Sequence, residues 1–167
     1  MKSFTIITTI FFAAISQNFG QGSLPVRKNQ LNVGVGLSDF GVPIYFGIDH
    51  GLGRDVTIGG EVSFRGYREN WKSHYYRHNI IQISGNANYH FNKILSIPRK
   101  WDLYAGLNLG FTIWSSPYDY DGSYNSGLGL GAQLGTRYYL NNKVALNLEF
   151  GSGNAFNGGK FGLTFKL

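Results

Sequence analysis

Alternation with a period of two organises this chain. It is clearest from Trp101 to Trp114, WDLYAGLNLGFTIW. Leu103, Ala105, Leu107, Leu109, Phe111 and Ile113 fall on one face, and Tyr104, Gly106, Asn108, Gly110 and Thr112 on the other. Successive side chains of a strand point to opposite faces, so this stretch predicts a β-strand with an apolar wall and a small or polar wall. Its run is close to the roughly 9–11 residues that a tilted strand needs to cross a bilayer.

The pattern recurs along the rest of the chain. Expected strands cover 30–37, 42–48, 56–67, 80–91, 127–140, 144–151 and 160–167. Between them lie stretches rich in Gly, Asn, Asp, Ser and Pro, the residues of turns. Arg68–Asn79 and Ser115–Ser126 are the long polar loops, and Asn92–Lys100 is a third connection of some length. Eight strands is an even number, so the first and last can pair antiparallel and close a barrel. The expected fold is all-β, an eight-stranded antiparallel transmembrane β-barrel over residues 30–167.

Alternation alone does not say which face is wet, because a soluble lipocalin-like barrel alternates too. The polar face decides it. It carries Gly, Asn, Gln, Ser and Thr with few charges, which suits the crowded interior of an eight-stranded barrel. An apolar wall facing water would be a very large exposed patch, so the outward face predicts lipid. Outward aromatics near strand ends fit an interfacial girdle: Phe64, Phe111, Phe150 and Phe161 toward one rim, Tyr89, Phe91 and Tyr138 toward the other.

Composition agrees. Charged residues make up 14% of the 167, well below the roughly 25% of soluble domains. There are no cysteines, which removes disulfides, thiol nucleophiles and cysteine metal sites. The net charge of +6 comes from scattered cations without a nucleic-acid motif, so anionic lipid is the expected counterpart and nucleic acid is not. No cofactor motif is present.

Residues 1–16 read as a secretory signal: Lys2 gives the positive start, Phe4–Ile15 the apolar core, and Ala14-Ile15-Ser16 the small residues of a cleavage site, with a second candidate cut after Gly20. Residues 17–29, with Pro25, are expected to form a flexible periplasmic lead-in.

Candidate chemistry is sparse. Glu61, Arg65, Arg137 and Glu149 fall on the inward face and predict a lumen network, since a buried charge needs a partner. Arg65 and Glu149, both toward the outer rim, are the expected ion pair. His90 shares a face with Ser84 and Asn88, with Glu61 on the neighbouring strand; a polar lumen filler is the leading reading and lipid-modifying catalysis the lesser one. Trp71, Tyr75, Tyr76 and Arg77, with His74 and His78, make a cationic aromatic loop suited to lipid headgroups, lipopolysaccharide or a surface partner. Asp119 to Ser123 has the start of a calcium loop but lacks the distal ligands.

Taken together, residues 30–167 resemble the small OmpA/OmpX-like outer-membrane barrels of Gram-negative bacteria. Phe161-Gly162-Leu163-Thr164-Phe165-Lys166-Leu167 is similar to their C-terminal assembly signal, though it ends in Leu where an aromatic is usual. The resemblance implies recognition of the C-terminal strand by the barrel-insertion machinery and contact with outer-membrane lipid and lipopolysaccharide. It implies a non-enzymatic structural or surface-interaction role, with narrow porin-like passage as the alternative. No peptidoglycan-binding domain is expected after the barrel.

Overall fold

The computed structural model describes residues 23–71, 74–118, 120, 122 and 124–167; the expected signal segment lies outside them. Eight strands follow one another: β1 Asn29–Ser38, β2 Ile44–Gly51, β3 Val56–Trp71, β4 His74–His90, β5 Trp101–Ser115, β6 Gly127–Tyr139, β7 Val144–Gly153 and β8 Gly158–Lys166. Each pairs antiparallel with the next, and β1 pairs with β8 from Gln30↔Lys166 to Ser38↔Gly158, closing the barrel.

The facing is that of a protein turned inside out. Leu107 is 69% exposed, whereas Asn108 beside it in the pleat is buried, as are Tyr104 and Asp102 on the same inward face of β5. Among the described residues, eighteen buried polar or charged side chains stand against eight buried hydrophobic ones. A one-residue slip would turn every strand over, so each apolar outward row also pins its register.

Glycine lets the wall close where the lumen is tight. Gly34 and Gly162 face each other across the β1–β8 seam. A Cβ on Gly162 would sit 2.6 Å from the Tyr45 hydroxyl and 2.2 Å from the Val33 carbonyl oxygen. The inward Tyr45 therefore lies against a bare stretch of backbone.

The two ends differ. At the terminal end, short turns join β2–β3 and β6–β7, and a longer segment joins β4–β5. Of the lead-in expected to be flexible, residues 23–28 are described and pack beneath this end. Leu24 is buried, Arg27 donates its amide to the Gly51 carbonyl, and Lys166 Nζ reaches the Ser23 carbonyl.

At the loop end, β3 and β4 run past the other strands, with 16 and 17 residues. The segment expected as a polar loop over Arg68–Asn79 is instead mostly paired strand, through Arg68↔Arg77, Glu69↔Tyr76, Asn70↔Tyr75 and Trp71↔His74. Both faces of this extension are polar or aromatic, so no alternation announces it; cross-strand pairs with aromatic residues hold it instead. At the start of β2 the expected strand also loses two residues. Pro43 has no amide to give to a ladder, and the strand begins at Ile44.

Candidate functional site

The lumen is the chemical centre of the molecule. Its deepest layer is built on Arg137 of β6. Arg137 Nη2 donates to Asp49 of β2 at 2.9 Å and Nη1 to Asp102 of β5 at 3.2 Å, with the guanidinium 4.2 Å from the centre of the Tyr104 ring. Asp49 also accepts from Gln30 at 2.9 Å and Asn32 at 2.8 Å, both on β1. Asn32 in turn accepts from the Thr164 hydroxyl of β8 at 2.7 Å. Asp102 accepts from His90 Nδ1 of β4 at 2.7 Å, and His90 Nε2 lies 3.0 Å from the Thr57 hydroxyl of β3.

A second layer is centred on Lys160 of β8. Its ammonium lies 2.8 Å from Glu61 Oε1 on β3 and 2.8 Å from Glu149 Oε1 on β7. Tyr104 joins the layers by donating its hydroxyl to Glu149 Oε2 at 2.8 Å. An amide chain adds Asn108 to Gln133 at 2.9 Å and Gln133 to Asn88 at 2.6 Å. Every strand contributes to this network. Charges in a low-dielectric interior are tolerated only when paired and hydrogen-bonded, and these are.

The loop end is stoppered twice. Ala155 and Phe156 of the β7–β8 connection are buried, the Ala155 carbonyl accepts from Gln82, and the Phe156 ring lies 4.9 Å from Lys160 Nζ. Beside them Phe40, Tyr67, His78, Trp114, Tyr120 and Tyr124 form an aromatic cluster. Trp114 and Tyr124 stack at 4.4 Å, and His78 and Tyr120 meet edge-on at 4.6 Å. Glu69 accepts from the hydroxyls of Tyr120 at 2.8 Å and Tyr124 at 3.2 Å. Burial, followed by this bond to Glu69, pushes the Tyr120 hydroxyl up to about 12. Burial and the Glu69 charge push Tyr124 up as well.

The structure places Glu61, Arg65, Arg137 and Glu149 inside the barrel, but it does not bring Arg65 and Glu149 together. Glu149 pairs with Lys160, its direct partner in the β7–β8 register. Arg65 reaches only the Ser38 hydroxyl, at 3.4 Å. The grouping of His90 with Ser84, Asn88 and Glu61 is also replaced, because Glu61 belongs to Lys160 and His90 to Asp102 and Thr57. Hydroxyl, imidazole and carboxylate here stand in the order of a nucleophilic triad. All three are buried, and Asp102 is shared with Arg137.

Tyr75, Tyr76 and Arg77 are strand residues on the β4 extension, with Trp71 opening its hairpin on β3. Tyr75 is 76% exposed, and Tyr76 meets the Tyr120 ring edge-on at 5.1 Å. Asp119, Asp121 and Ser123, the core of the calcium-like stretch, lie outside the described residues.

Sequence reading missed Asp49, Asp102 and Lys160 as network members. Lys160 and Asp102 carried a usable signal, since both have inward parity on their strands. Asp49 has the parity of Tyr45 and Gly47 but fell beyond the expected end of β2.

No family model and no curated protein matches this chain. Solved structures do. The outer membrane protein OprG of Pseudomonas aeruginosa superposes with a TM-score of 0.68 at 10% identity, covering 89% of this chain and 99% of that one. The N-terminal β-barrel domain of Pseudomonas aeruginosa OprF gives 0.61 at 13% identity, over 85% and 98%. Neisserial surface protein A gives 0.55 at 14% identity, over 84% and 94%. At these identities the likeness is one of fold: this chain has the architecture of the small eight-stranded outer-membrane β-barrels.

Proposed function

We propose that this protein is a closed barrel of the bacterial outer membrane whose role is structural or surface-interactive, and which passes no solute. One observation carries the reading: the apolar residues face outward while a hydrogen-bonded network touching all eight strands fills the interior. Outer-membrane barrels have short periplasmic turns and longer outer loops, so the terminal end is assigned to the periplasm and the β3–β4 extension to the cell exterior. Tyr89 with Phe91 and Trp101 with Tyr138, ring pairs 5.2 and 4.8 Å apart, mark the inner interface. Arg54, Lys93 and Arg99 line one groove at the same end and supply the cations that anionic headgroups would meet on this reading.

The extension carrying Trp71, Tyr75, Tyr76 and Arg77 is the surface offered to lipopolysaccharide or a protein partner. The outward Phe161, Leu163 and Phe165 of β8 are the features read by the insertion machinery. Purified protein reconstituted in planar bilayers tests the reading. Absence of single-channel steps is the expected result, and defined steps from folded protein would replace it with solute passage.

A further inference from the structure

Every buried charge in the barrel but one has an ionic partner. Asp49 and Asp102 hold Arg137, and Glu61 and Glu149 hold Lys160. The exception among the described residues is Arg65. It is 6% exposed, makes no ion pair, and leaves Nε without an acceptor. Its one hydrogen bond, to Ser38, is long at 3.4 Å. A guanidinium has five N–H donors in a planar fork, so most of this one's bonding capacity is unspent.

Arg65 lines a groove at the loop end between the β1–β2 turn and the β7–β8 connection, with a volume of about 250 Å³. That is below the roughly 300–1,000 Å³ of drug-sized sites, which limits an occupant to about one ring. The surroundings are specific. Asp39 lines the same groove, near enough for its charge to favour the Arg65 cation, but it forms no ion pair within 4 Å and accepts instead from Asn157 Nδ2 at 2.7 Å. Asn154 Oδ1 accepts from the Leu130 amide at 2.7 Å, which leaves its Nδ2 to donate. Phe156 supplies an apolar side.

We propose that Arg65 anchors a binding site for a small hydroxylated carboxylate, with the chemistry of a single uronic acid. The fork takes the carboxylate in two parallel bonds. Asp39 opposes a second negative charge, which disfavours a phosphate dianion. Asn154, Asn157 and the free oxygen of Asp39 meet hydroxyl groups. The site depends on the groove alone and stands whether or not the barrel conducts.

The test is a titration of the folded protein in detergent micelles, following the Arg65 Nε–Hε resonance. D-glucuronate is expected to move it saturably at millimolar concentration. Glucose should not move it, and inorganic phosphate should bind at least about tenfold more weakly. Arg65→Gln should abolish glucuronate binding measured by calorimetry. Arg65→Lys, which keeps the charge and loses the fork, should weaken it about tenfold. Asp39→Asn should narrow the gap to phosphate. Arg68→Gln, an exposed rim cation, should leave binding unchanged. The proposal is overturned if glucuronate gives no saturable shift in wild type. It is equally overturned if glucose matches glucuronate, or if Arg68→Gln costs as much as Arg65→Gln.

Discussion

Arg137 and Asp49, 88 residues apart in sequence and on opposite sides of the barrel, meet at 2.9 Å across the lumen. That contact joins β6 to β2, strands that share no ladder. The wall is held by backbone pairing; the interior is held by bonds of this kind.

Removing Arg137 should therefore be costly. Arg137→Met strands Asp49 and Asp102 as buried carboxylates, and loss of one partner of a buried pair costs about 3–5 kcal/mol. The triple change Asp49→Asn, Asp102→Asn, Arg137→Met should recover much of that loss. Urea unfolding of protein folded into lipid vesicles checks both. A single variant within about 0.5 kcal/mol of wild type would mean that the pair is not load-sharing.

Packing against glycine gives a second expectation. A Cβ on Gly135 would lie 2.1 Å from Tyr104 Cζ, so Gly135→Ala must displace the ring that carries Arg137 and bonds Glu149. Overpacking of this kind costs about 1–3 kcal/mol. Gly66 has nothing within 4 Å of its Cβ position, and Gly66→Ala should be neutral or slightly stabilising. Equal effects of the two substitutions in the same unfolding assay would contradict the placement of Tyr104.

The loop-end cluster predicts an alkaline transition. Burial, and after it the bond to Glu69, pushes the Tyr120 hydroxyl up from its ordinary 10.0 to about 12. A raised pKa means that the neutral hydroxyl is the favoured folded form. Its contribution is complete below pH 10 and disappears as the pH rises from 10 through 12. Phenolate absorbance should show one component fewer near the top of the titration in Tyr120→Phe. Glu69→Gln should shift the Tyr120 component back toward 10.

Much of this was legible in the chain itself. Leu107 and Asn108 are neighbours with opposite fates, and the period of two predicts both, because a barrel in lipid separates the two faces more sharply than a sheet in water does. What the pattern did not reveal lies where one solvent no longer decides the side chain. On the β3–β4 extension both faces are wet, so strand and loop look alike. Inside the lumen, parity says that Glu149 points inward but not that Lys160 rather than Arg65 will meet it; that depends on register, which the sequence does not number. Ala155 and Phe156 were hidden for a third reason: a turn that folds back into the lumen has no period.

The outward apolar face is the central claim, and the absence of cysteine makes it directly measurable. Leu107→Arg should cost about 2–4 kcal/mol at the bilayer midplane, but a label reports facing more plainly. Single cysteines placed in turn at 105 to 110 and carrying nitroxides can be read by collision with oxygen, which concentrates in hydrocarbon, and with a water-soluble nickel chelate. In lipid vesicles, labels at 105, 107 and 109 should show high oxygen and low nickel accessibility, and those at 106, 108 and 110 should be shielded from both. Nickel accessibility at 107 and 109, or no alternation along the six positions, would contradict the account.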